Sequence, residues 1–268
     1  MFNKNLFKEI IKCSLVLIII YFAGRQLAIG WSKVKLYNWE ISISVIACSV
    51  VLQILTFVLF SKAWRVLISA FGFNVSLKHG FKIAYIANLG RYIPGKVWTV
   101  FGIAYYLRKI NINLETAIAS WGIATILGLP PAFIVGSITV YYYPQMLTGV
   151  FASDYTYGTK LLLLATVAFS TVVVFIPRYT ILIYNMILRL FKKPPIQFEL
   201  SRKVALQVYI WYLFGWVLYG IAFYVFTAGI MEIAEVPLFA GIGSFVLAYV
   251  IGYLAFFHLG DWVRVRLY

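Results

Sequence analysis

Long apolar stretches bounded by polar or basic residues dominate the pattern along the chain. Six are long enough to cross a bilayer with modest tilt, at residues 13–29, 41–60, 116–141, 161–176, 204–226 and 238–257. Barrel strands alternate apolar and polar residues, whereas residues 204–231 contain no charged residue at all. Pro130 and Pro131 are expected to kink the third stretch, and Pro144 to end it. The pattern predicts an all-α polytopic membrane protein, with residues 1–268 as a single integral membrane domain.

Composition supports the same class. The chain is 63% hydrophobic and 12% charged, whereas soluble domains average about 45–50% apolar and about 25% charged residues. The 23 Lys and Arg against 8 Asp and Glu flank the apolar stretches, which indicates topology signals and no nucleic-acid partner. Cys13 and Cys48 lie in separate stretches, and His79 and His258 are far apart. We therefore expect no metal site and no cofactor.

The placement of cations predicts the orientation, because Lys and Arg accumulate in cytoplasmic loops. One basic loop lies between the second and third stretches, and another follows the fourth, whereas residues 142–159 contain no Lys or Arg. Arg25, Lys33 and Lys35 form the one discordant loop. We expect a multi-pass protein of the cytoplasmic (plasma) membrane with both termini in the cytoplasm.

Residues 80–107 are too apolar for a wetted loop, yet Arg91, Pro94, Gly95 and Lys96 interrupt them. Each half is too short to cross the membrane, since 12 helical residues rise only about 18 Å, whereas the hydrocarbon core of a bilayer is about 30 Å thick. A re-entrant half-helix hairpin that enters from the cytoplasm and breaks near Pro94 satisfies both constraints. The alternative is a pair of helices lying on the membrane surface, with their cations on anionic headgroups.

A break at this point would create a site for an anion. Unpaired backbone N–H groups around Gly95, the positive helix end, and the charges of Arg91 and Lys96 would bind an anion such as a phosphate. Pro94 suits the first turn of the second half-helix. Residues 90–96 also fit most of a nucleotide-binding loop, but Val97 replaces the required Ser or Thr and no strand precedes it. A nucleotide is therefore not the expected ligand.

The motif NLGRYIPGKVW at residues 88–98, followed by LETAIAS at 114–120, resembles the flippase-like membrane family related to the transmembrane part of lysylphosphatidylglycerol synthase. Residues 211–226 and 244–257 are similar to its last spans. The resemblance implies movement of phosphate-bearing or aminoacylated lipids between leaflets, with a membrane phospholipid or polyprenyl-phosphate lipid as partner. In synthase relatives, a separate soluble domain performs aminoacyl transfer. Asn88, Tyr92, Trp98 and Glu115 are the candidate supporting residues.

The family pattern also includes a second break, PGGLG, directly after the last stretch, where this chain reads HLGDWVRVRLY at residues 258–268. A reading frame shifted back by one base from Phe257 permits PGGLG. We therefore expect truncation after residue 257 by a frameshift, the alternative being a native basic tail. Sequencing beyond Tyr268 tests this expectation.

Two other functions stay open at this stage. A membrane-embedded glycosyltransferase or lipid-modifying transferase would need paired outer acids, and Glu40, Asp154, Glu232 and Glu235 form no paired motif. A membrane anchor subunit that does not transport is the third alternative. Ser244, Ala248 and Gly252 form a small-residue stripe that allows close packing within the chain or in a homo-oligomer. Trp39, Trp211 and Trp216 are interpreted as interface anchors, and Glu115 as an acid favoured by the start of a helix.

Overall fold

The computed structural model describes residues 25, 31, 41–88, 98–144, 156–190, 192–230 and 236–265. Within these ranges the chain is helical, and no strand occurs among them. The helices are α1 (Ile43–Ala70), α2 (Leu77–Asn88), α3 (Trp98–Arg108), α4 (Leu114–Tyr142), α5 (Thr156–Phe175), α6 (Arg178–Leu190), α7 (Arg202–Ala228) and α8 (Leu238–Val265). The predicted all-helical class is therefore confirmed for the described part of the chain.

Four helices in the described ranges are long and apolar enough to cross a membrane: α1, α4, α7 and Tyr157–Phe175 within α5. They correspond to four of the six predicted spans. Over the sixth predicted span, residues 238–257, α8 is a helix of 28 residues, and its apolar part Leu238–Gly252 is shorter than a full span. The first predicted span, residues 13–29, lies outside the described residues except for Arg25. A membrane protein is therefore supported, whereas the count of six spans stays a prediction.

Local capping explains where the long helices begin. The side chain of Asn113 accepts a hydrogen bond of 2.7 Å from the Thr116 N–H at the start of α4, and Ser201 accepts one of 3.3 Å from Val204 at the start of α7. Each bond satisfies an N–H that has no partner within its own helix. Helix α4 continues through the buried Pro130 and Pro131 and ends at Tyr142, just before Pro144.

Helices α1 and α7 form the most extensive helix pair of the described structure, and they run antiparallel. At one end, the Ser42 N–H donates to the Gly229 carbonyl at 2.8 Å. Two turns further in, the Ser49 hydroxyl donates to the Ala222 carbonyl, also at 2.8 Å. Towards the other end, the Lys62 ammonium lies 4.7 Å from the centre of the Trp211 ring. The two helices therefore accompany each other for most of their lengths.

Polar side chains join α4 to its neighbours. The Thr139 hydroxyl of α4 donates to the Phe239 carbonyl at the beginning of α8, at 3.2 Å. The Thr166 hydroxyl of α5 donates to the Ser137 hydroxyl of α4, also at 3.2 Å. On α5 the buried side includes Thr159, Thr166 and Ser170, whereas Leu161 and Leu164 are exposed. This arrangement, with hydroxyls inside and hydrocarbon outside, suits helices that associate in lipid.

Close packing of α8 differs from the expectation drawn from its small-residue stripe. Ala248 and Gly252 are exposed, and nothing lies within 4 Å of a Cβ built on Gly252. The close approach instead occurs at Gly220 of α7, where a Cβ would lie 2.9 Å from the Cα of Ile242. The stripe therefore does not hold α8 against the described helices of its own chain.

Most described cations lie in one half of the bundle, which we call the cationic end. This end contains the last residues of α1 and α3 and the first residues of α4 and α7, which are Ala70, Arg108, Leu114 and Arg202. These helix ends lie on the same side because α1 and α7 are antiparallel and because the α2–α3 pair connects α1 to α4. Among the side chains described between residues 41 and 252, the cations of this half are Lys62, Arg65, Lys78, Lys82, Arg108, Lys109, Arg178, Arg189, Lys192, Lys193, Arg202 and Lys203. Lys160, near the start of α5, lies in the other half. Both predicted basic loops therefore meet at the same end.

Candidate functional site

The short helices α2 and α3 pack on each other and are wedged between α1 and α4. Ile83 of α2 and Ile103 of α3 are buried in the main core cluster, together with Trp64 of α1 and Ile123 of α4. Leu107, one turn after Ile103, is also completely buried. The pair is thus part of the hydrophobic core of the bundle. A pair of helices lying loosely on the outside of the bundle would not contribute to this core.

Helix α2 runs back along α1 from the cationic end to the middle of that helix. Near its start, a Cβ built on Gly80 would lie 3.6 Å from the Trp64 ring. Further along, the Tyr85 ring stacks on Phe57 with centroids 4.3 Å apart, and the Tyr85 hydroxyl donates to the Phe57 carbonyl at 3.2 Å. Phe57 is close to the midpoint of the 28-residue α1. The last residue of α2, Asn88, follows Tyr85 by less than one turn.

An aromatic cluster, formed by Phe57, Phe60, Tyr85, Trp216, Tyr219 and Tyr249, lies beside the inner end of α2. Phe57 and Tyr219 have ring centroids 6.3 Å apart, and Phe60 and Trp216 have centroids 5.3 Å apart. Edge-to-face contacts of this kind fix the relative positions of rings on different helices. The cluster therefore joins α2 to α1, α7 and α8 at mid-height. Sequence reasoning missed it, because its members come from four separate segments.

Trp216 corrects one interpretation of the tryptophans. It is buried, and its indole N–H donates to the Gly128 carbonyl of α4 at 2.8 Å. It is thus a packing residue between α4 and α7, and its position in the core does not suit an interface anchor. Trp211 is half-buried beneath Lys62. Trp39 lies outside the described residues.

The predicted anion-binding residues fall between the two short helices. Arg91, Tyr92, Pro94, Gly95 and Lys96 lie outside the described residues, so their geometry is not part of this structure. Asn88 is the last residue of α2, and Trp98 is the first residue of α3. The two helices that bracket the motif are therefore described, whereas the arrangement of the motif stays a prediction.

Glu115 lies away from both bracketing residues. It is exposed in the first turn of α4, where a carboxylate is favoured by the positive end of the helix dipole. It follows the Arg108 end of α3, and the 11 residues of α3 correspond to a rise of about 16 Å from Trp98. A part for Glu115 in headgroup handling stays a prediction.

Lys109 provides a fixed charge where α3 ends. Its ammonium lies 4.5 Å from the centre of the Tyr105 ring, and the hydrogen bond and charge interaction with Tyr105 raise the pKa of Lys109 above its ordinary value. A lysine amine is protonated at neutral pH even at its ordinary pKa, and this upward shift favours the charged form further. The turn that follows contains Asn111 at a φ of 60°, a left-handed conformation that asparagine tolerates well.

The described side chains offer little for catalysis or metal binding. No group of three or more His, Cys, Asp or Glu that could hold a metal ion occurs in the described part of the chain. The acids Glu40, Asp154, Glu232 and Glu235, which a transferase would need, all lie outside the described residues. The transferase alternative is therefore neither supported nor opposed by this geometry.

Comparison with known proteins extends the helical picture. The family model of the lysylphosphatidylglycerol synthase TM region matches residues 10–257. Comparison with curated proteins found no match, and neither did comparison with solved structures. The family match covers most of the chain, including the α2–α3 pair and every candidate site residue, and it indicates a membrane protein involved in lipid handling. The chain therefore belongs to the family of the lysylphosphatidylglycerol synthase transmembrane region.

Proposed function

We propose that this protein moves a phosphate-bearing or aminoacylated lipid between the two leaflets of the membrane. The observation that carries the proposal is the α2–α3 pair, in which α2 follows α1 to its midpoint beside Phe57. The motif with Arg91 and Lys96 begins directly after α2. Interrupted helices near the midplane are a common way for transporters to form a substrate site.

The proposed site works by replacing water around the headgroup. A phosphate entering hydrocarbon loses hydration, and a charge at the bilayer centre costs at least about 2.5–3.5 kcal/mol. Free N–H groups at the helix break and the cations Arg91 and Lys96 would replace part of that hydration through charge-assisted bonds. The barrier to moving the headgroup would then be lower beside the protein than in pure lipid.

The exposed side of the helix pair gives the lipid a way to approach. Ile86 of α2 is 38% exposed and Tyr105 of α3 is 58% exposed, while the opposite sides of both helices are buried. A lipid could therefore present its headgroup to the pair while its acyl chains stay in the surrounding bilayer. This geometry favours lipid movement over the anchor-subunit alternative, which needs no such pair.

The test is leaflet exchange of fluorescent phosphatidylglycerol, lysyl-phosphatidylglycerol and phosphatidylcholine in proteoliposomes. Arg91→Ala with Lys96→Ala should lower the exchange rate of at least one anionic or aminoacylated lipid by about tenfold or more, because each charged hydrogen bond is worth about 1.5–3 kcal/mol. The matched control is Arg108→Ala with Lys109→Ala, which removes two exposed cations from the far end of α3. The control should exchange lipids at the wild-type rate.

Three results would contradict the proposal. Equal exchange by wild type and by the Arg91 and Lys96 double variant would reject the assigned site. Wild-type exchange no faster than in protein-free vesicles would reject lipid movement under these conditions and favour an anchor subunit. A new lipid product formed from added donor lipids would indicate a transferase instead.

A further inference from the structure

Helix α6 has a side that no described part of the chain covers. Its buried side consists of Thr180 and Tyr184, and Tyr184 fits against Gly122 of α4. On the outward side, Leu182, Met186 and Leu190 are 49%, 56% and 82% exposed. These three residues are spaced by four, so they form one apolar stripe along the helix. In the sequence, this segment belongs to the basic loop that follows the fourth predicted span.

Two arginines border the stripe on the same edge. Arg178 precedes Leu182 by four residues and Arg189 follows Met186 by three, and both arginines are exposed. Three helical turns separate the two arginines, which places them on one side of α6. Lys192 and Lys193 follow directly, and residues 176–198 contain no acid. Helix α6 therefore has a protein side, an apolar side and a cationic edge.

The position of α6 also suits an interface. It meets α5 only at its beginning, where the Thr180 hydroxyl donates to the Val173 carbonyl at 3.2 Å. It then turns away from α5 and crosses towards α4 at the cationic end. The Asn185 side chain donates to the Ile196 carbonyl at 3.2 Å and accepts from the Ile196 N–H at 2.9 Å. These two bonds hold the following segment against α6.

The end of α6 directs its lysines into a tight turn. The Lys193 N–H donates to the Leu188 carbonyl and the Lys192 N–H to the Arg189 carbonyl, both at 2.9 Å. Lys192 has a φ of 55°, a conformation that glycine usually adopts at this place. The segment then returns to the bundle, where Phe198 stacks on Phe71 with centroids 3.8 Å apart. Both lysines are thus kept beside the end of the stripe.

We infer that α6 lies in the plane of the membrane interface at the cationic end and binds the headgroups of anionic phospholipids. The stripe of Leu182, Met186 and Leu190 would enter the boundary between headgroups and acyl chains. Arg178, Arg189 and the two lysines would contact the phosphates. Charge complementarity identifies this occupant, since a basic edge beside an apolar stripe is the pattern of helices that bind anionic membranes. None of these residues belongs to the proposed lipid-transfer site, so each proposal can be tested alone.

The first test measures depth. A spin label at Met186→Cys, in the full chain with its native cysteines replaced by serine, should be accessible to oxygen and protected from a water-soluble nickel reagent in anionic vesicles. A label at Lys193→Cys should show the opposite preference, because this lysine is exposed beyond the helix. Equal access of the nickel reagent to both labels would overturn the inference.

The second test measures lipid preference. Spin-labelled phosphatidylglycerol should associate with the reconstituted wild-type protein more strongly than spin-labelled phosphatidylcholine does. Arg178→Gln with Arg189→Gln should lower that preference by about fivefold or more, whereas Arg108→Gln with Lys109→Gln should lower it much less. An equal loss in both double variants would assign the preference to the cationic end in general and overturn the role of α6.

Discussion

At the scale of single residues, the polar groups of this protein are used to join helices. Trp216 donates to a carbonyl of α4, and Ser49 donates to a carbonyl of α7. Lipid offers no competing hydrogen bonds, so such contacts hold helices that hydrophobicity alone would not bring together. The sequence alone does not predict these two bonds, since it suggests an interface anchor for Trp216 and cannot tell which carbonyl either side chain reaches.

Gly220 offers a stability prediction at this scale. A Cβ at this position would lie 2.9 Å from both the Cα and the carbonyl oxygen of Ile242, and backbone atoms cannot move aside as a flexible side chain can. Gly220→Ala should therefore separate α7 from α8 and lower the free energy of unfolding by about 1–3 kcal/mol. Unfolding in detergent, followed by circular dichroism, measures the change.

Gly158→Ala is the matched control for this substitution. Nothing lies within 4 Å of a Cβ built on Gly158, and alanine favours a helix over glycine by up to about 1 kcal/mol. The control should be neutral or slightly stabilising. Equal stability of the two variants would mean that α7 and α8 are not in close contact at Gly220.

At the scale of elements, the short helices follow the sequence prediction closely. Residues 80–107 are predicted to form two half-helices with a break near Pro94, and α2 and α3 occupy Leu77–Asn88 and Trp98–Arg108. Their lengths follow from local sequence, because the polar interruption limits each apolar run. Their burial between α1 and α4 could not be predicted, since it depends on residues such as Trp64 and Ile123 that are distant in sequence.

The depth of α2 distinguishes the re-entrant arrangement from a pair lying on the surface. Single fluorescent labels at Lys78→Cys and Ile86→Cys, both exposed positions of α2, are eight residues or about 12 Å apart along the helix. We expect deep acyl-chain quenchers to act strongly at position 86 and weakly at position 78, because α2 follows α1 towards its midpoint.

Lipids with a quencher at the headgroup provide the control, and they should reverse this order. If both labels instead respond as shallow positions, α2 lies along the surface and the re-entrant arrangement is wrong. Full reaction of positions 88–98 with water-soluble thiol reagents would lead to the same conclusion.

Helix α6 is an amphipathic helix that the pattern of predicted spans does not reveal. Its 13 residues are too few to cross, and its arginines make it look like part of a basic loop. Its outward apolar stripe can be identified only from the tertiary structure. The contact of Tyr184 with α4 shows which side of α6 faces the protein, and therefore which side the described helices leave uncovered. Periodicity can indicate an amphipathic helix, whereas tertiary packing decides which of its sides faces the protein.

At the scale of the whole molecule, the bundle separates charge between its two ends. Among the side chains described between residues 41 and 252, the cations of both basic loops gather at the cationic end, whereas Lys160 lies near the other end. The sequence predicts that both loops lie on the same side of the membrane, because two predicted spans, an even number, separate them. The contacts along α1 and α7 agree with this arrangement.

This arrangement predicts which positions a membrane-impermeant thiol reagent reaches in intact cells. With the native cysteines replaced, Lys109→Cys and Lys193→Cys should both stay unlabelled until the membrane is permeabilised. Tyr142→Cys and Tyr157→Cys, which are exposed at the opposite end, should be labelled from outside. Labelling of Lys109→Cys and Lys193→Cys from opposite sides would contradict the arrangement, and labelling of both from outside would reverse the orientation.

The sequence by itself determined the membrane class, the start of α1, the approximate limits of α4, α5 and α7, and the two short helices on either side of residues 89–97. These are local properties, because the solvation of an apolar run by lipid and the interruption of a helix depend on neighbouring residues. Only the tertiary structure decided that Trp216 is a packing residue, that Gly220 and not the Ser244 stripe admits close contact, and that α2 reaches the level of Phe57. Those outcomes depend on which surfaces meet, and that choice is made by the shapes and hydrogen bonds of residues far apart in the chain.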